Sequence, residues 1–383
     1  MSTPDFKALR REFPVLARKV YLNSGSYCAL ANSVRAAFES YMDDRLAVGA
    51  NWDVWVGKNE AVRARVAKLL RAQDDEIAVT ASASAGINAL ATALDFTKGR
   101  DKVVVSDFEF PTNAQIWHAQ EKRGARVEHV PVAADGYIPL EQFAARIDDR
   151  TRLVAVTQVC FRNGARLDIA GLARLAHERG ALMLVDCYQA AGAMDIDVKA
   201  LDVDFAVGGM LKYLLGTAGI GFLYVRGELI ADLVPTHSGW FAQRDIGAMN
   251  IFSNDPSPTA RRFEAGTPPV VNAYATEAGL SLLLEVGTPA IEQRVRALTR
   301  HCLDRLREIG WPSVTPDDDA RRGPMVCIRS RDAAGLNKEL LDRDIVTSYR
   351  DQNLRATFHF YNDDEDVEAL VGALASLRDR YKP

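Results

Sequence analysis

From Glu76 to Val225 short apolar runs alternate with longer segments of helical period, and no other feature restricts the fold of this chain so strongly. The apolar runs fall at Glu76 to Thr80, Lys102 to Ser106, Arg126 to Val130, Thr151 to Val159, Ala181 to Asp186 and Ile220 to Val225. Helical patterns stand between them at Ala85 to Leu94, Thr112 to Arg123, Leu140 to Ile147 and Ile169 to Arg179. Strand, helix, strand at this rhythm predicts an α/β domain with a largely parallel sheet. Ligands of such domains bind outside the carboxyl ends of the strands, so the loops after these runs are where chemistry is expected. Beyond Pro268-Pro269 the pattern turns to long helices, Tyr274 to Glu285 and Ile291 to Ile309. Short strands near Val326 and Leu354 and a last helix after Asn362 follow, which reads as a second, smaller α+β domain.

One charge interrupts the nearly uncharged stretch Ala206 to Val225, and it is Lys212. A lysine held in apolar surroundings loses preference for its ammonium form, and the neutral amine can condense with an aldehyde as a Schiff base. Hydropathy alone would also allow a membrane span here. Five glycines and a central lysine argue against it, since a lysine at mid-bilayer costs roughly 2.5–3.5 kcal/mol. Upstream, Asp186 ends the run Ala181-Leu-Met-Leu-Val185. A carboxylate at the end of a buried strand can keep a pyridinium nitrogen protonated, and with a nearby lysine it describes a site for pyridoxal phosphate.

Composition narrows the partners. The 383 residues carry 47 Lys and Arg against 51 Asp and Glu, a net charge of −4, which gives no support to a nucleic-acid or anionic-membrane partner. The first ten residues are polar and mixed in charge and lack the apolar core of a signal peptide, so a cytoplasmic location is expected. Five scattered cysteines show no CxxC pair and no disulfide-framework spacing, and six dispersed histidines include no HExxH, so no metal site is expected.

Thr80-Ala-Ser-Ala83-Ser84-Ala-Gly stands between a strand and a helix, where small residues expose backbone N–H groups to an anion such as a phosphate. Taken alone, an ordinary serine N-cap explains it equally well. Phe110, after the strand ending at Ser106, can lie on a cofactor ring or simply pack in the core. Gln189, three residues after Asp186, offers an amide donor to a ring hydroxyl. Gly216-Thr-Ala-Gly219-Ile-Gly221 has the wrong order for a GxGxxG fingerprint, which argues against a nicotinamide dehydrogenase.

In order and spacing these elements resemble the class V aminotransferase superfamily of pyridoxal-phosphate enzymes, which includes cysteine desulfurases, selenocysteine lyases, kynureninases and small-amino-acid aminotransferases. The resemblance runs from Val20-Tyr-Leu-Asn-Ser-Gly25 to Leu354-Arg355-Ala-Thr-Phe-His-Phe-Tyr-Asn362. Val185-Asp186-Cys-Tyr-Gln189, Asp204 to Gly219 and Arg262-Phe-Glu-Ala-Gly-Thr267-Pro268 are its most specific parts. It implies fold type I, with a mostly parallel seven-stranded sheet in a large domain (21–267), a small C-terminal α+β domain (268–383) and an N-terminal arm (1–20) packing on the small domain.

The resemblance also implies roles. Lys212 corresponds to the Schiff-base lysine, Asp186 to the pyridinium partner, Gln189 to the ring-hydroxyl contact and Phe110 to the stacking position. Ala83 and Ser84 correspond to the phosphate-binding turn, Arg355 to the substrate-carboxylate arginine, and Thr267 to a threonine reaching the phosphate of a neighbouring subunit. A homodimer with shared active sites, acting on an amino acid, is therefore implied.

Several positions depart from the pattern. Leu211 and Gly209 stand where polar phosphate contacts are common, and Asp344 to Arg355 contains no cysteine where desulfurases form a persulfide. Val159 to Asp168 and Gly239-Trp240-Phe241-Ala-Gln243 are similar to kynureninase segments, yet Gln243 and Gln189 replace that family's histidines. Elimination of a β-substituent is the favoured reaction, transamination the second and kynureninase-like hydrolysis the third. A non-catalytic protein of the same fold is disfavoured by the intact Lys212, Asp186 and Arg355.

Overall fold

The computed structural model describes residues 4–383. A helix, Phe6–Arg10, and a short strand β1 (Val20–Tyr21) precede two long helices, Asn32–Ala47 and Trp52–Leu70. Then come β2 (Ile77–Thr80), β3 (Lys102–Ser106), β4 (Arg126–Val130), β5 (Thr151–Thr157), β6 (Leu182–Asp186), β7 (Phe205–Gly209) and β8 (Gly221–Val225). These form one seven-stranded sheet in the order β2-β8-β7-β6-β5-β3-β4, in which only β8 runs against the others. The expected α/β fold is the one observed.

Both faces of the sheet are buried, which is why its strands read as continuous apolar runs. Val104, Val154 and Met183 point into one hydrophobic cluster, while Val103, Val105, Leu153 and Leu184 point into another. That period of two assigns neighbouring residues to opposite faces. The sequence rhythm did not mark β7. It turns back into β8 without an intervening helix, so the two strands merged into one stretch whose single charge is Lys212.

The helix Val270–Val286 packs on Asn32–Ala47 and Trp52–Leu70. Lys58 and Arg65 both reach Glu277 across this contact, at 2.7 and 3.0 Å. After the helix Thr288–Glu308 come β9 (Met325–Arg329), β10 (Ile345–Val346), β11 (Ser348–Arg350) and β12 (Asn353–Thr357). Strands β11, β12 and β9 form an antiparallel sheet with β12 in the middle. Strand β1 pairs in parallel with β10, and Arg10 binds Asp366 at 2.8 Å, so the segment after Pro4 is held against the C-terminal part. Met1 to Thr3 of the expected arm lie outside the described residues. No helix among the described residues is long and apolar enough to cross a membrane.

Candidate active site

Because six strands share a direction, the ends of β2, β3, β5, β6 and β7 open on one edge of the sheet. A cavity of about 360 Å³ lies there, and Ala83, Ser84, Phe110, Asp186, Gln189, Lys212 and Arg355 all line it. Seven of the eight expected site residues therefore meet, although they span most of the chain. Thr267 does not join them. It is exposed and borders a separate, smaller pocket with Thr80, Ala81 and Ala85.

Past β2 the chain enters the helix Ala83–Ala93 through Ser82, whose side chain accepts from the Ala85 N–H at 3.1 Å. The first-turn N–H groups of Ala83 and Ser84 have no partner within the helix, so they can serve an anion. The Ser84 hydroxyl, 3.4 Å from that of Thr112, adds a second donor, and both residues line the cavity. Gly221 of β8 backs this turn so closely that a Cβ there would stand 2.8 Å from the Ala83 nitrogen.

Asp186, the last residue of β6, is buried. One carboxylate oxygen accepts the Tyr188 N–H at 2.8 Å, and the other has no side-chain partner among the described residues. Burial raises its pKa, opposed by that N–H bond and by the charge of Lys212. For Lys212 itself, desolvation lowers the pKa from 10.5 to about 8, against the charge of Asp186 and with the help of Arg355 and Arg350. Its Nζ stands over the Tyr188 ring, 4.3 Å from the centroid. The amine thus gives up its proton near pH 8, well below the range of an exposed lysine.

Arg355 is not a surface arginine. It lies on the central strand β12 with 1% of its surface exposed. Its guanidinium donates to the Phe161 carbonyl at 2.9 Å and to the hydroxyls of Ser26 and Ser348 at 3.0 Å each, but pairs with no carboxylate among the described residues. Burial lowers its pKa, the direction in which any uncompensated buried cation is pushed.

Gln189 is buried; its Nε2 donates to the Gly25 carbonyl at 3.1 Å and its Oε1 is unpartnered. Phe110 is 45% exposed at the cavity, meeting Phe161 edge-on at 5.2 Å. The residue before it, Glu109, is fully buried. It accepts from Ser106 at 2.5 Å, Asn113 at 2.6 Å and the Thr157 N–H at 2.9 Å, so it locks the Phe110 loop onto the ends of β3 and β5. Desolvation raises its pKa to about 8.

The structure accounts for one departure from the family pattern. A Cβ on Gly209 would sit 2.2 Å from the Tyr188 ring, so no serine fits there without moving that ring. Leu211 also lines the cavity, which leaves the helix start and its hydroxyls as the anion site. Gln243 stands apart. Its amide bonds Ser238, Asn254 and Asp255 within its own loop and it does not border this cavity.

Sequence reasoning assigned no role to Tyr188, Ser26, Thr112, Phe161 or Arg350, all of which line the cavity. Tyr188 was within reach, because it stands between Asp186 and Gln189 in the quoted motif. Ser26 and Arg350 arrive through long-range packing and leave no local signature.

These groups fit pyridoxal phosphate: free helix-start donors for the phosphate, a buried carboxylate with an open oxygen for a ring N–H, and a lysine with a lowered pKa. Relatives of the chain carry the same conclusion. Uncharacterized aminotransferase YcbU of Bacillus subtilis is 35% identical over 367 residues, 96% of each chain. A cysteine desulfurase of Enterobacter sp. is 30% identical over 407 residues, 98% of this chain and 99% of its own. The apo structure of a cysteine desulfurase from Thermococcus onnurineus superposes with a TM-score of 0.88 at 25% identity, covering 98% of both chains. The family model described as Aminotransferase class-V matches residues 55–370. The chain belongs to the class-V aminotransferase family of pyridoxal-phosphate-dependent enzymes.

Proposed function

We propose that this protein is a pyridoxal-phosphate-dependent lyase that eliminates a β-substituent, such as a sulfur-containing group, from an L-amino acid. The observation that carries the reading is the convergence of Lys212, Asp186 and Arg355 on a cavity in which no thiol stands. Pyridoxal phosphate, when bound, supplies an electron-withdrawing ring that accepts the pair left at the substrate Cα. Ala83, Ser84 and Thr112 would hold its phosphate, Asp186 would keep its ring nitrogen protonated, and Phe110 and Gln189 would orient the ring. Arg355 binds the substrate carboxylate through a planar fork. Lys212 Nζ takes the proton from Cα. The Cβ–X bond then breaks with its electron pair leaving on X, and hydrolysis of the resulting enamine gives pyruvate and ammonia.

Desulfurase chemistry needs a thiolate beside the substrate. All five cysteines are buried, and Cys28, Cys302 and Cys327 have their pKa pushed up to about 12 by desolvation. Asp344 to Arg355, the segment in which the resemblance puts the desulfurase thiol, holds no cysteine, and its β11–β12 connection is a tight hairpin with Arg350 paired to Asn353. Transamination is the second reading, favoured by the aminotransferase name of the Bacillus subtilis relative. A screen of L-amino acids separates the two. Release of pyruvate, ammonia and the substituent without an added keto acid supports the lyase. An absolute need for a keto acid, with the substituent retained, refutes it.

A homodimer with shared sites belongs to this proposal. Thr267 is exposed outside its own cavity, and Leu46, Ile251 and Phe252 expose 85%, 85% and 92% of their surface, large apolar side chains of the kind another subunit would cover. Mixing inactive Lys212→Ala subunits with inactive Thr267→Ala subunits should restore part of the activity. A fully active monomer in sedimentation would refute shared sites.

A further inference from the structure

A second arginine stands exposed at the rim of the cavity, with no carboxylate to pair it among the described residues. Arg350 ends β11, and its guanidinium donates only to the Tyr349 carbonyl at 2.7 Å, with no ion pair among the described residues. The neighbouring acid, Asp351, turns away at φ +54° and faces Arg162 at 3.9 Å. Along a strand, residues two apart share a face, so Arg350 emerges on the side of Ser348. Ser348 is the residue whose hydroxyl holds Arg355 at 3.0 Å. The charge of Arg350 reaches both Lys212 and Arg355, disfavouring the protonated form of each. Asp186 is the one carboxylate on the cavity wall among the described residues; it accepts the Tyr188 N–H, and the charge it feels is that of Lys212.

We propose that Arg350 is a specificity-determining residue that binds a second anionic group, on the side chain of the substrate, while Arg355 holds the α-carboxylate. Two guanidiniums on one wall repel each other, and a dianionic amino acid relieves that repulsion at both ends. The inference rests on the lyase reading and narrows its substrate class to L-amino acids whose β-substituent carries negative charge. In the matching reaction the Cβ–S bond of S-sulfo-L-cysteine breaks with its pair leaving on thiosulfate, and water converts the remaining carbon skeleton to pyruvate with release of ammonia.

The test uses the holoenzyme and two matched pairs of ligands. L-aspartate and L-alanine are compared by titration of the cofactor absorbance, and S-sulfo-L-cysteine and S-methyl-L-cysteine by turnover. The anionic member of each pair should bind more tightly. Arg350→Gln should raise the aspartate dissociation constant and the S-sulfocysteine KM roughly 10- to 100-fold, the worth of a charge-assisted hydrogen bond. The same variant should leave L-alanine binding within about twofold, and Arg350→Lys should recover part of the loss, which a folding defect would not do. Equal affinity for aspartate and alanine, unchanged by Arg350→Gln, would overturn this assignment and leave the lyase reading intact. Were no amino acid to perturb the absorbance, the reading of the site itself would fall, and this inference with it.

Discussion

Arg355 Nη1 donates to the carbonyl of Phe161 at 2.9 Å, tying the middle strand of the small sheet to the loop after β5 of the large one. A buried guanidinium fixed by carbonyls and hydroxyls has its position set in advance, and its charge left for a ligand. Folding a cation into that place without a partner is costly, so its presence argues for an anion that arrives later.

Arg355→Lys should therefore fail almost as badly as Arg355→Ala. An ammonium cannot reproduce the planar fork, and a loss of roughly 100-fold or more in kcat/KM is expected from about 3 kcal/mol. Steady-state kinetics on both variants checks this, with circular dichroism to show that each is folded. A lysine variant with near-normal kcat/KM would contradict the role.

Native thiol titration offers a second check. Burial pushes the Cys160 thiol up to about 11 and those of Cys28, Cys302 and Cys327 to about 12, so none should react rapidly with a disulfide reagent at neutral pH. Turnover should survive reagent treatment that leaves the fold intact. One fast-reacting thiol whose modification abolishes activity would favour a persulfide route.

His359 predicts an acid limit to stability. It is fully buried, with Nδ1 accepting the Phe360 N–H at 2.8 Å and Nε2 donating to the Tyr213 carbonyl at 2.9 Å, so it is neutral in the fold. Desolvation lowers its pKa from 6.5 to about 4. Between those values the unfolded chain binds the extra proton and the folded one does not, so the contribution is intact above pH 6.5 and is lost as pH falls toward 4. It amounts to about 3 kcal/mol. Urea unfolding across this range should show wild-type stability falling more steeply than that of His359→Gln, which has no proton to gain. Parallel profiles would contradict the assignment.

The sequence carried the sheet because buried parallel strands are apolar throughout and are separated by helices, and it carried Lys212 and Asp186 because each is a charge set against an apolar run. It missed β7 as a separate strand, since an antiparallel return through glycines and apolar residues has no boundary that period or charge can mark. Arg350 and Ser26 were missed for a different reason. They meet the cavity only through packing between the two sheets and the N-terminal segment, and nothing in their local sequence distinguishes them from surface or core residues. Thr267 was expected beside a neighbouring subunit's phosphate, and its place outside the cavity of its own chain is compatible with that proposal.

The central claim is that Lys212 carries the cofactor. Pyridoxal phosphate added to the protein should give a yellow species, and borohydride reduction followed by peptide mapping should find the cofactor on Lys212 alone. Loading should rise with pH through about 8, where the lowered pKa frees the amine. Cofactor fixed to another lysine, or none retained after reconstitution, would contradict the account.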